Sequence, residues 1–193
     1  MVVPMIPFPN KKYKIIYADP PWHFNDGADK RGVECKYSTM LTEDIKNLPV
    51  QSICDDDCVL FLWSVFPMLQ EGLDVIKSWG FNYKTIGFTW GKLYPNGKPF
   101  MGMGNWTRSN SEVCLLGVKG KPKRVNAGIR SLFLSVPERH SKKPNGVRQN
   151  IVKLCGDIPR IELFAREAYE GWDNWGNDEK IQSQPLEVFN LET

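Results

Sequence analysis

Cys58-Val59-Leu60-Phe61-Leu62-Trp63 runs without a polar side chain, and that narrows the folds open to the chain. A strand with one wet face alternates apolar and polar residues. An uninterrupted run of this length fits a central strand covered on both faces, as in parallel sheets. Around it, strand-like and helix-like stretches take turns, which predicts an α/β domain with a largely parallel sheet flanked by helices. Residues 13–18 read as the first strand. Thr42 to Leu48 reads as a short helix, with Thr42 as N-cap, Glu43 and Asp44 in its first turn and Pro49 just past its end. From Pro67 to Trp79, Leu69, Leu73 and Ile76 recur at helical spacing, and Gly80 stands where a C-terminal cap belongs. Phe81 to Trp90 and Val113 to Val118 are rich in β-formers and read as strands. Lys143-Pro144 to Leu154 then reads as a helix closed by Gly156, and Pro159 to Ala165 as the last strand. With 193 residues and 41% hydrophobic content, the chain can bury one sizeable core, and a single domain over residues 1–193 is expected.

Two long connections stand out, residues 91–111 and 119–143, and both are expected to face a substrate. The first contains Gly102-Met103-Gly104-Asn105-Trp106, followed by Arg108, which would grip or wedge a strand. The second, from Lys119 to Lys143, carries Lys119, Lys121, Lys123, Arg124, Arg130, Arg139, Lys142 and Lys143 against the single acid Glu138. A charge run is usually only a solvated face, but beside a candidate active site it reads as a phosphate-backbone surface, with Lys121, Lys123 and Arg124 as contacts. The overall charge of +3 is too small to carry that argument by itself. No apolar run approaches the roughly 20 residues of a membrane span, so no membrane partner is expected and a cytoplasmic location is.

The five cysteines are odd in number and scattered, which favours reduced thiols, with Cys114 and Cys155 buried. Cys54-Asp55-Asp56-Asp57-Cys58 is the one close pair, and its acids read as a solvated loop before the strand. With only His23 and His140 to help, no metal site is expected. The Gly-x-Gly-x-x-Gly fingerprint and the P-loop are both missing, which argues against NAD and ATP chemistry.

At the exit of the first strand stands Asp19-Pro20-Pro21-Trp22. An arbitrary Asp-Pro-Pro marks a turn. Here the preceding strand and the following Trp give these residues a chemical reading, because ligands of parallel α/β folds collect outside the carboxyl ends of the strands. The exocyclic amine of a nucleobase is a poor nucleophile whose lone pair is delocalised into the ring. A catalyst reduces that delocalisation by accepting hydrogen bonds from the NH2 group. The Asp19 carboxylate and the Pro20 carbonyl are such acceptors, and proline removes a competing N–H. Trp22 offers a face for a flipped base, a contact worth about 1–3 kcal/mol. A second strand end, Glu162-Leu163-Phe164-Ala165-Arg166, leads to Gly171-Trp172-Asp173-Asn174-Trp175-Gly176-Asn177-Asp178. It reads either as an aromatic-rich turn burying Trp172 and Trp175 or as a surface for a nucleoside-like cofactor. Lys143, at a helix start, suits a carboxylate or phosphate.

These segments, with Tyr37-Ser38-Thr39-Met40, Phe61-Leu62-Trp63 and the run from Glu112 to Gly120, resemble a family of S-adenosylmethionine-dependent adenine N6-methyltransferases. The family is named for the seventy-kilodalton subunit of the mRNA adenosine methyltransferase and includes bacterial and phage members. Order and spacing match over nearly the whole chain. The resemblance implies a Rossmann-like fold of permuted type, with the catalytic motif ahead of the cofactor-binding segment. It implies that Asp19, Pro20, Pro21 and Trp22 form the catalytic loop, with Asp19 also near the cofactor's amino group, and that Lys143 neutralises its carboxylate. It places Glu162, Leu163, Phe164, Arg166, Asn177 and Asp178 along the cofactor's ribose and adenine, with the acid Asp178 where an amide is common. Tyr37 would border the base pocket, with Glu112 and Trp106 on the wall opposite. A compact domain without appended RNA-binding modules is more similar to the bacterial and phage members. Methylation of DNA adenine is therefore expected, by direct transfer from S-adenosylmethionine without metal. RNA adenosine, cytosine N4, and a non-catalytic nucleic-acid-binding role within a complex are the other readings. A homodimer or a partner subunit fits the family.

Overall fold

Tyr13–Ala18, the first strand (β1), buries every residue except Lys14. It can do so because it lies inside the sheet, parallel to both neighbours, the second strand β2 (Cys54–Ser64) and the sixth, β6 (Arg160–Leu163). The computed structural model describes residues 6–23, 39–104, 106–138 and 142–176. The remaining strands are β3 (Asn82–Lys92), β4 (Ser111–Lys119), β5 (Leu132–Ser135) and β7 (Asp173–Trp175), and the sheet runs β5-β3-β4-β2-β1-β6-β7. β4 is antiparallel to both β2 and β3, while every other pairing is parallel. The carboxyl ends of all the other strands therefore gather at one end of the sheet, together with the start of β4.

Helices cover both faces. On one, α1 (Thr42–Lys46) and α2 (Leu69–Ser78) enclose Ile16, Leu60, Leu62, Ile76 and Trp79, and the Trp79 indole N–H donates to the Ile45 carbonyl at 2.8 Å to join the two. Close approach of α2 is possible because β4 carries Gly117, where a Cβ would meet Ile76 at 3.0 Å and Phe81 at 3.1 Å. On the other face, α3 (Asn145–Cys155) sets Val147 and Ile151 against Ile15, Tyr17, Phe61, Trp63 and Phe88. Among the described residues no helix is long and apolar enough to cross a membrane.

Several elements differ from expectation, each for a local reason. Leu41, not Thr42, is the N-cap of α1, which makes no side-chain capping bond and ends at Lys46. Asp55–Asp57 belong to β2 rather than to a loop before it. Tyr13 pairs with Cys54 and Ile15 already with Val59, so the acids lie in the bulge and Asp57 accepts the Lys121 N–H at 2.7 Å. Residues 91–111 are partly ordered, with β3 continuing to Lys92 and Leu93 bridging to Pro99. Residues 119–143 contain β5, and the turn expected around Trp175 includes β7; Trp172, just before that strand, and Trp175 are buried as one reading of that segment required. Cys114 and Cys155 are buried, as are Cys54 and Cys58.

Candidate active site

Asp19 follows β1 directly, and its N–H faces the Leu163 carbonyl of β6 at 3.5 Å. Pro20 is buried, and its carbonyl accepts the Trp22 N–H at 2.9 Å. A carbonyl has two lone pairs, so one remains for an incoming donor. Trp22 is fixed from two sides. Its backbone neighbours pair with Met40, Met40 N–H to the Pro21 carbonyl at 2.8 Å and His23 N–H to the Met40 carbonyl at 3.1 Å. Its indole N–H donates to the Trp63 carbonyl at the end of β2, 3.0 Å away. The ring is half-buried, oriented by hydrogen bonds rather than swallowed by the core.

Beside this loop lies a line of alternating charges. The Lys143 ammonium, just ahead of α3, donates to both oxygens of Asp19 at 2.8 and 2.9 Å and reaches Glu112 at 3.3 Å. Glu112, at the start of β4, also receives Lys92 from the end of β3 at 2.5 Å. Lys143 rides over the Trp63 ring at 5.5 Å and Lys92 over the Trp90 ring at 4.8 Å. Side chains of Lys143, Glu112 and Asp19 are only 10%, 15% and 21% exposed, so little water screens them. Burial alone would raise the Glu112 carboxyl, but Lys143 and Lys92 together hold it below its usual value. Burial alone would lower the Lys143 ammonium, but Asp19 and Glu112 hold it above. Two cations and two anions leave the cluster neutral.

A second buried pair stands behind the first. Glu162 of β6 takes the Arg148 guanidinium of α3 in a bidentate pairing at 2.6 and 2.5 Å, and Arg148 also donates to the Asn145 side chain at 3.1 Å and stacks over Tyr17 at 5.2 Å. The Tyr17 hydroxyl accepts the Trp63 indole N–H at 2.7 Å. Just past β6, Phe164 adopts φ 63, a left-handed conformation that costs a non-glycine residue about 1–3 kcal/mol and collects at functional sites.

The family model described as MT-A70 fits residues 13–178, a span that holds Asp19, Trp22, Glu112 and Lys143. The chain belongs to the MT-A70 family. MT-A70 proteins are adenine N6-methyltransferases of nucleic acid, and the family implies use of S-adenosylmethionine. The type II methyltransferase M.MunI of Mycoplasma sp is 36% identical over 90% of this chain and 82% of its own length. The Drosophila melanogaster N(6)-adenosine-methyltransferase MT-A70-like protein is 28% identical over 86% of this chain, and the human N(6)-adenosine-methyltransferase catalytic subunit METTL3 is 27% identical over the same share. The chain spans about a quarter of those two longer proteins, 27% and 28% of their lengths.

Of the MT-A70 residues carried onto the sequence, Asp19, Pro20, Pro21, Trp22, Lys143 and Glu112 come together. Lys143 here pairs with Asp19 and Glu112, and Lys92 supplies the second cation. Glu162 has its carboxylate engaged by Arg148, Leu163 is in the core, and Phe164 packs on Trp175 at a ring separation of 5.5 Å. Arg166 is exposed two residues on. Trp106 and Arg108 lie on the connection after β3, Trp106 fully in solvent and Arg108 exposed. Lys121, Lys123 and Arg124 do not join the cluster. They follow the end of the reversed strand β4, seven residues beyond Glu112, or about 24 Å away at 3.4 Å per residue, and the Val125 N–H donates to Leu154 near the end of α3. The basic run is contiguous in sequence and divided in space. Tyr37, Arg139, Asn177 and Asp178 lie outside the described residues. Sequence reasoning passed over Lys92 and Arg148. Lys92 meets Glu112 only through the register that sets Trp90 opposite it; Arg148 was legible as a cation in step with Ile151 and Cys155, on the face of α3 that otherwise buries apolar residues.

Proposed function

We propose that the protein transfers a methyl group from S-adenosylmethionine to the N6 amine of adenine in DNA, acting as a single methyltransferase domain. The observation that carries this reading is the Asp19 carboxylate, locked by Lys143 beside an oriented Trp22 and an available Pro20 carbonyl lone pair. Asp19 and Pro20 accept the two amine hydrogens and localise the nitrogen lone pair, and Trp22 supports the base from its face. Positioning of this kind is where such a site gains most of its rate. S-adenosylmethionine supplies a methyl group activated on a sulfonium centre. The residues present fit it. An amino-acid zwitterion needs a carboxylate and an ammonium side by side, and Asp19 and Lys143 are 2.8 Å apart. Near Glu162, the buried Asn174 Oδ1 has no partner among the described residues, an acceptor that a ligand hydroxyl would satisfy. On this reading Glu162 and Arg166 flank the cofactor's ribose and adenine, and the expected roles of Asn177 and Asp178 fall outside the described residues. The strand order, with the Asp19 strand first in the chain and the Glu162 strand sixth beside it, supports the permuted form of the fold.

DNA is favoured because similarity to a type II methyltransferase extends over most of that protein, whereas the N(6)-adenosine-methyltransferases match over about a quarter of theirs. Tritiated-methyl transfer to matched DNA and RNA oligonucleotides, followed by digestion to nucleosides and mass spectrometry, tests the proposal. N6-methyladenine in DNA is expected. Label in RNA alone, or N4-methylcytosine, would replace it.

A further inference from the structure

The connection from Leu93 to Asn110 is a braced arm. It is built of two successive hairpins: Tyr94 N–H to Lys98 at 2.8 Å and Phe100 N–H to Lys92 at 2.9 Å close the first, Gly102 N–H to Ser109 at 2.9 Å closes the second, and Lys92 N–H to Asn110 at 2.8 Å ties the root. The Tyr94 hydroxyl accepts the Met101 N–H at 3.3 Å, and the Tyr94 and Phe100 rings lie 5.0 Å apart. Glycines let the second hairpin close. A Cβ at Gly102 or Gly104 would stand 2.1 Å from the carbonyl oxygen of Ser109 or Thr107.

This frame holds large apolar side chains out in water. Met101 is 67% exposed, Met103 82% and Trp106 101%. Isolated exposed apolar residues are ordinary, but three on one braced projection mark a contact surface. Residues 93–110 carry Lys98 and Arg108 and no acid, so the surface suits a polyanion. The arm also springs from the reaction centre: its root residue Lys92 holds Glu112, which touches Lys143 on Asp19.

On the reading of the site given above, we propose that this arm opens the duplex: Trp106 enters the base stack beside the target adenine while Arg108 holds the neighbouring phosphate. Removing a base from the stack costs a few kcal/mol. An aromatic ring that fills the gap returns about 1–3 kcal/mol per stacked base, and apolar wedges serve this purpose in proteins that unstack DNA. Aromatic, thioether and guanidinium groups also mark protein contacts; the lack of any acid on the arm and its root at the reaction centre favour nucleic acid.

The test compares W106A and W106F with the unaltered protein on two DNA substrates, a duplex and the same duplex with the target adenine opposite an abasic site. W106A should lower the duplex-to-opened ratio of kcat/KM about tenfold, and W106F should restore most of it. A duplex with 2-aminopurine at the target position should brighten on binding the unaltered protein and brighten less with W106A. An equal loss on both substrates would make Trp106 a wall of the base pocket and overturn the wedge. So would a loss that accompanies a shift from dimer to monomer on gel filtration, which would make the arm a subunit contact. The fluorescence rise needs no methyl transfer, so a rise without methylation removes the proposed reaction and keeps the wedge. Methylation of the duplex without a rise does the reverse.

Discussion

At one end of β4, Glu112 lies between Lys92 and Lys143 with little water around it. At the other end, Lys119 donates to the Asp55 carbonyl at 3.1 Å, and Asp57 accepts a backbone N–H from Lys121 while largely in solvent. Lysines and carboxylates occur at both ends of a single strand, yet only one end forms a network that fixes side chains. Burial makes the difference. Attraction between two charges 4 Å apart grows from about 1 kcal/mol in bulk water to about 4 kcal/mol near a protein surface. Direction makes the rest of it, since six strands point their carboxyl ends at Glu112 and leave their starts at Lys119.

The sharpest way to break this contrast is to remove one carboxylate from each end. D19A is expected to lower methyl transfer by about a thousandfold or more, since misplacement of about 1 Å already costs about a hundredfold. D57A should stay within about twofold, as surface substitutions do. Tritiated-methyl transfer to duplex DNA reads both, and comparable losses would dissolve the distinction.

Lysines give the next largest effect. K143M leaves two enclosed carboxylates without their shared cation, and breaking such a pair costs about 3–5 kcal/mol when fully buried. Chemical denaturation should show a large fraction of that loss, together with a fall in kcat of about a hundredfold for a misplaced Asp19. The triple variant K121M/K123M/R124M should keep kcat within about twofold. If these three side chains do meet phosphates, the logarithmic salt dependence of DNA binding will flatten by about one unit for each, and the far end will have a binding role after all.

The smallest effect concerns pH. The folded protein holds the Glu112 carboxyl below its usual value, so its ionised form contributes stability that is complete above the ordinary glutamate range near ~4.3. That contribution is lost as pH falls through the depressed value. E112Q should therefore lose stability at pH 7 and show less further loss on acidification than the unaltered protein, by urea unfolding at both pH values. Parallel acid limbs would mean that Glu112 is not held as described.

Much of this was legible in the chain. β1, the apolar half of β2 and α3 declared themselves because buried elements leave runs or helical spacings that little else produces. β5 and β7 did not, being three or four residues long at the sheet's edges, where half-exposure blurs any pattern. Asp19-Pro20-Pro21-Trp22 could be read as chemistry because all four residues are contiguous. Lys143 joined it through resemblance alone, since 124 residues separate it from Asp19 and only the packing of α3 brings them together. Lys121 to Arg124 were grouped with Lys143 by proximity along the chain, and the reversal of β4 undoes that proximity.

That reversal also divides the chain's connections for anyone who wishes to rebuild it. The segment between β4 and β5 starts and turns at the far end, and Lys123, Arg124, Asn126, Ala127 and Gly128 are exposed there. A fluorophore or a tethered targeting module grafted at Asn126 to Gly128 would hang from the side of the sheet opposite Asp19, leaving the approach to the reaction centre clear.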